Sequence, residues 1–138
     1  MTKCLDGKTI TGIEVADDKK ALRFLIQDGD PIVAKADGEC CSDSWVEHVE
    51  VPALGFPAKV LEVAGIDLPG STSDDDGCTS VYGLKIATDK GDLVIDYRNS
   101  SNGYYGGDLS WPDDSYFYGG VYRQNVSTEN WKPLAGDR

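Results

Sequence analysis

Ten consecutive residues, Arg98-Asn-Ser-Ser-Asn-Gly-Tyr-Tyr-Gly-Gly107, bring together one guanidinium, two amides, two hydroxyls, two phenols and three glycines. That mixture suits a recognition surface better than a core. Amides and hydroxyls both donate and accept, and the Arg98 fork matches phosphate or carboxylate oxygens. Tyr104 or Tyr105 can stack on a base, and the backbone amides of Gly103, Gly106 and Gly107 can form an anion-binding nest. The residues Arg98, Asn99, Ser100, Ser101, Asn102, Tyr104 and Tyr105 therefore form a candidate site for a small polar, nucleotide-like ligand. A plainer reading stands beside it: Asn102-Gly103 is a standard hairpin turn, and the two tyrosines are ordinary strand residues.

A second block, Glu39-Cys-Cys-Ser-Asp-Ser-Trp45, becomes another wall of that site if the fold brings it alongside. Trp45 is its candidate binding residue. Ser44-x-x-Glu47 matches a capping box and predicts a helix of about two turns carrying Trp45, Val46 and Val49, closed by Pro52. Ser42 or Ser44 would cap it.

Catalytic chemistry finds little support in the residue pattern. The sole histidine, His48, has no nucleophile elbow and no matching triad spacing, although Cys40 or Cys41 with His48 would make a thiol pair. Cys4, Cys40, Cys41 and Cys78 contain no C-x-x-C pair. A zinc set of Cys40 or Cys41 with His48 and Cys78 is the one metal arrangement to weigh, and thiols without metal are the simpler expectation. Asp17-Asp18 and Asp74-Asp75-Asp76 do not fit a calcium-loop spacing. The expectation is a protein that is not an enzyme, with no cofactor and no metal.

Against 13 Lys and Arg stand 24 Asp and Glu, a formal charge of −11. Nucleic-acid affinity comes from clustered cations that release counterions, so direct nucleic-acid binding is not expected. Such acidity usually serves solubility. It can also steer a basic partner, and Asp74 to Asp76, Asp113-Asp114 and the stretch from Glu47 to Glu62 are the candidate acidic contacts. No run of about 18 apolar residues predicts a membrane helix, and Met1-Thr-Lys-Cys-Leu-Asp is too polar to begin a secretory signal. The expected location is the cytoplasm, with no membrane partner.

Strand-like alternation must position these groups. Thr9 to Ala16, Ala21 to Gln27 and Ile32 to Ala36 read as a meander, with Asp28-Gly29 as a tight turn. Lys59 to Ile66 reads as a strand with Val60 or Leu61 inward, followed by a polar loop from Asp67 to Gly77. Ser80 to Thr88 and Leu93 to Arg98 form a hairpin around Asp89-Lys90-Gly91. Its strands place Tyr82, Leu84 and Ile86 on one face, and Leu93, Ile95 and Tyr97 on the other strand's matching face. Asp96 and Arg98 then share the opposite face and can pair. Tyr104 to Trp111 and Tyr116 to Arg123 would complete the sheet. The expected fold class is α+β and β-rich: one twisted antiparallel sheet or partly closed barrel of about seven or eight strands with one short helix. Residues 1–123 read as a single domain and 124–138 as a polar C-terminal tail anchored only by Trp131.

The block Glu39 to Trp45, with its CCSxSW pattern, the Val81-Tyr-Gly83 phrase before Thr88-Asp-Lys-Gly91, and the RNSSNGYYGG block resemble an uncharacterised family of small acidic proteins from phages and bacteria. The resemblance spans roughly Asp6 to Leu109, and the segment from Trp111 is longer than in that family. It implies a phage or prophage origin and no established activity. A phage accessory protein of this size implies a bind-and-block or bind-and-sequester role against a host system, in the host cytoplasm. Two functions follow as expectations: sequestration of the small polar ligand, or an acidic inhibitor occupying a basic, nucleic-acid-binding site on a host protein. Edge strands of such a sheet also pair between subunits, which admits a homodimer.

Overall fold

The structure, a computed structural model of the 138-residue chain, describes residues 4–17, 19–38, 43–66, 68, 72–74, 77–101, 107–111 and 131–136. Ten strands follow in chain order: β1 Thr9–Ala16, β2 Ala21–Ile26, β3 Ile32–Gly38, β4 Asp43–Glu50, β5 Ala58–Ile66, β6 Thr72–Asp74, β7 Gly77–Thr88, β8 Gly91–Ser101, β9 Gly107–Ser110 and β10 Trp131–Gly136. Antiparallel pairing gives the order β4-β8-β7-β5-β1-β2-β3-β9, with β10 added beside β1 and β6 beside β7. The sheet is open: among the described residues no ladder joins β4 to β9.

The two halves meet at a narrow joint, since β1 and β5 pair only through Thr9↔Lys59 and Ile10↔Ala58. On either side of that joint the strands fold over a shared core. Leu5, Ile10, Ile13, Leu22 and Phe24 come from one half, Val46, Leu84, Ile86, Leu93 and Ile95 from the other, and all belong to one buried cluster with Trp111. Burial of such side chains contributes about 1.5–3 kcal/mol each, enough to hold the halves together without a closing ladder. Phe24 and Trp111 stack with centroids 5.5 Å apart, tying the residue after β9 to the centre of β2.

Bulges set which residues face that core. In β1 the register shifts between Ile10 and Gly12, so Ile10 and Ile13 are both fully buried although three residues apart. In β5 the shift between Val60 and Glu62 leaves Val60 buried and Leu61 62% exposed, which decides between the two inward candidates. One inserted residue reverses the facing of everything beyond it.

The same device corrects the expected helix. Among the described residues there is no helix, and Ser44 to Glu47 lies inside strand β4, not at a helix start. The register against β8 runs Trp45↔Arg98, Val46↔Tyr97, His48↔Asp96, leaving Glu47 as the extra residue of a bulge. Val46 and Val49, three apart, therefore both turn toward the apolar interior. A spacing that reads as helical periodicity is a strand with one residue inserted, and Trp45, Val46 and Val49 suit a strand by propensity as well.

The β7–β8 hairpin follows the expected pairing, with Tyr82 opposite Tyr97 and their rings stacked at 5.2 Å. Its turn works at Gly91, whose φ of +116° suits glycine and whose absent Cβ leaves room for Ala53 N at 3.1 Å from that position. Within the expected polar loop, Thr72–Asp74 forms the short β6 against Gly77 to Thr79. Within the segment read as a polar tail, β10 pairs with β1. The expected strand from Tyr116 to Arg123 lies outside the described residues.

Candidate functional site

The two sequence blocks of interest flank the same corner of the sheet. β3 ends at Gly38 opposite Gly107, where β9 begins, and β4 begins at Asp43 opposite Ser100, next to the end of β8 at Ser101. The Glu39–Trp45 and Arg98–Gly107 blocks thus both join the β3–β9 pair to the β4–β8 pair. Asn102, Tyr104 and Tyr105, with Cys40, Cys41 and Ser42, lie outside the described residues. Arg98, Asn99, Ser100, Ser101 and Trp45 lie within them. Trp45 is half-buried and directly opposite Arg98, so the described parts of the two blocks lie side by side in the paired strands.

Alternate residues of β8 do different work. Asn99 points inward, 1% exposed, and its Oδ1 accepts a 2.7 Å hydrogen bond from the hydroxyl of Ser44, itself buried on β4. Lys20 reaches the same place, its Nζ donating to the Ser44 carbonyl at 2.7 Å. Val46 N donates to Lys19 O at 2.8 Å, so the β1–β2 turn is fastened to β4. These bonds join the two halves of the sheet where the core turns polar. Asn99→Ala is expected to cost about 2 kcal/mol, because the Ser44 hydroxyl is left buried without that acceptor. Urea unfolding of the two proteins measures it.

Arg98 faces the other way, its side chain 29% exposed. Nε and an Nη donate to the two oxygens of Asp96, both at 3.1 Å, and the second Nη lies 3.5 Å from Glu47. The pKa of Arg98 is raised, first by the hydrogen bond to Asp96; desolvation opposes that rise, and the charges of Asp96 and Glu47 add to it. It is therefore a fixed cation whose fork is already filled by carboxylates. A phosphate entering here would have to displace Asp96 or Glu47. The Asp96–Arg98 pair was legible from its spacing of two. Glu47 was not, because its place in a capping box concealed a bulge that swings it onto the guanidinium.

Around that pair the outer face of β4 and β8 is acidic. Glu47, Glu50 and Asp92 are exposed and Asp96 half-exposed, with His48 opposite Asp96 and Glu50 opposite Val94. The stripe from Asp92 to Arg98 extends about 20 Å along the strand.

The zinc arrangement does not survive the register. His48 stands opposite Asp96 on β8, whereas Cys78 stands opposite Ser101. Five residues of strand separate those levels, about 17 Å, too far for one ion that needs its ligands within about 2.3 Å.

This architecture defines an antiparallel β-sheet domain with a polar, motif-bearing corner and an acidic outer face. Residues 3–111 match the family model described as a domain of unknown function, DUF7448, and the chain belongs to that family. No curated protein and no solved structure matches the chain. No helix of the described residues is long and apolar enough to cross a membrane.

Proposed function

We propose that the chain is a non-catalytic binding protein whose β4–β8 face engages a basic surface of a partner protein and occludes it. The observation that carries this reading is the saturation of Arg98 by Asp96 and Glu47 on a face that also presents Glu50 and Asp92. A phosphate-bearing ligand meets net negative charge there. A basic partner meets carboxylates and, in register with Arg98, the half-buried ring of Trp45, over which a lysine or arginine can rest. Opposite charges also hasten encounter. The phage-type character implied by the sequence blocks makes the partner a host protein, and a nucleic-acid-binding surface has the required sign.

A second reading, retention of a small polar ligand at the corner, is favoured by one observation: Gly38↔Gly107 and Asp43↔Ser100 bring the flanks of both motif blocks side by side. The two readings separate in one experiment. The full chain and the Glu47→Gln/Glu50→Gln/Asp92→Asn variant serve as bait for a bacterial lysate at low and high salt. Basic proteins captured at low salt should be released at high salt, and the variant should capture about tenfold less, three exposed pairs of about 0.5 kcal/mol each. A complex indifferent to salt and to the variant excludes the acidic face. Native mass spectrometry of the same preparation then reports whether a small molecule is retained instead.

A further inference from the structure

β10 lies outside the residues that match the family, and it covers an edge the rest of the sheet leaves bare. β1 pairs β2 along one side, while on the other β5 takes only Thr9 and Ile10. Among the described residues only β10 occupies that second side from Gly12 to Ala16. Without β10, the alternate backbone groups of that stretch that do not bond β2 would be left unpaired, a template for another strand.

The outer aspect of β10 is itself poor for pairing. Its register against β1 shifts between Ile13 and Glu14, which pair with Ala135 and Pro133 and leave Leu134 as a bulge, 42% exposed. Proline offers no N–H, a bulge interrupts the ladder, and Lys132 adds an exposed charge; natural edges are blunted by these three features. Beside the backbone ladder to β1, a guanidinium adds a side-chain hold on β10. Arg23 of β2 pairs with Glu14 of β1 at 2.6 Å and lies over the Trp131 ring, 4.7 Å from its centroid. The Lys132–Asp17 contact, 3.6 Å between exposed groups, adds little.

We propose that β10 is a releasable cap, clamped by Arg23 and Trp131, over a β1 edge that pairs with a second copy of this chain when uncovered. A second copy fits because an antiparallel strand edge is self-complementary about a two-fold axis. Glu14, the only charged residue from Gly12 to Ala16, is already neutralised by Arg23, so the net acidity of the chain puts no unpaired charge on that edge.

The test uses the full chain with Trp131→Ala, followed by hydrogen exchange and sedimentation across a concentration series. The amides between Gly12 and Ala16 that face β10, Val15 among them, should exchange about tenfold faster or more than in the parent, while those of β7 and β8 keep their protection. The variant should self-associate with rising concentration where the parent does not. Adding Val15→Pro, which removes an N–H that faces β10, should return it to a monomer. Unchanged protection at Gly12 to Ala16 would show that Trp131 does not hold the cap. Faster exchange in a chain that stays monomeric would show that the edge has no affinity for a second copy. Either result overturns the proposal, as does a dimer that survives Val15→Pro.

Discussion

Phe24→Ala is expected to remove about 3–5 kcal/mol of stability, at the upper end for truncation of a core side chain. Phe24 is fully buried, packs in the cluster that both halves of the sheet share, and stacks on Trp111 at 5.5 Å. Truncation gives up the transfer energy of the ring and leaves a cavity beneath Trp111. The indole cannot follow the retreating surface easily, because the residues before it are tied to β3 through Ala36↔Leu109 and Lys35↔Ser110. A domain of this size has roughly 5–15 kcal/mol of total stability, so the variant should melt roughly 10–20 °C lower. Differential scanning calorimetry decides it. A drop of only a few degrees would mean that Trp111 is not packed on Phe24 in solution.

Gly83→Val should come next, at about 3 kcal/mol. A Cβ at Gly83 would lie 2.7 Å from Ile66 Cγ1, 2.8 Å from Leu68 Cγ and 3.0 Å from the Ile66 carbonyl oxygen. One is the branch point of Leu68, one is the methylene next to the branched Cβ of Ile66 and the third is backbone, so none can swing aside as the tip of a lysine would. Ile66 is also the cross-strand partner of Gly83 in the β5–β7 ladder. The added bulk must therefore separate the end of β5 from β7 or bend β7 itself. Chemical denaturation should show the lower midpoint, with increased hydrogen exchange confined at first to Gly65 and Ile66. Gly83→Ala, carrying the Cβ alone, should lie between parent and valine variant.

The identity and approximate bounds of most strands were legible in the chain. β1 coincides with the expected span, and β2, β3, β5, β7 and β8 lie over theirs with ends displaced by a few residues. Strand-forming residues between turn signals make such strands readable, even in β1 and β5, where a bulge interrupts the alternation. Legibility failed where the interruption also carried the signals of a helix start. At Glu47 an inserted residue turned Val46 and Val49 to the same side, and with Ser44 and Glu47 in capping positions the pattern imitated a helix. Nothing local distinguishes the two, because the bulge exists only by virtue of pairing with β8.

The site divides along the same line. Alternation along β8 alone determined that Asp96 and Arg98 would share a face, and the observed pair is bidentate at 3.1 Å. Composition alone determined that the chain would be strongly acidic. Tertiary structure decided that Trp45 stands opposite Arg98, that Asn99 is buried on Ser44, and that Glu47 completes the neutralisation of the guanidinium. It also decided that His48 and Cys78 stand too far apart to share an ion, and that Trp131 begins a strand closing the edge of β1. The physical reason is common to all of these. Side-chain facing is a property of consecutive residues, read from a period of two. Which strands become neighbours, and in what register, depends on burying one core between distant segments, 55 residues apart for Ser44 and Asn99, and no local pattern encodes that choice.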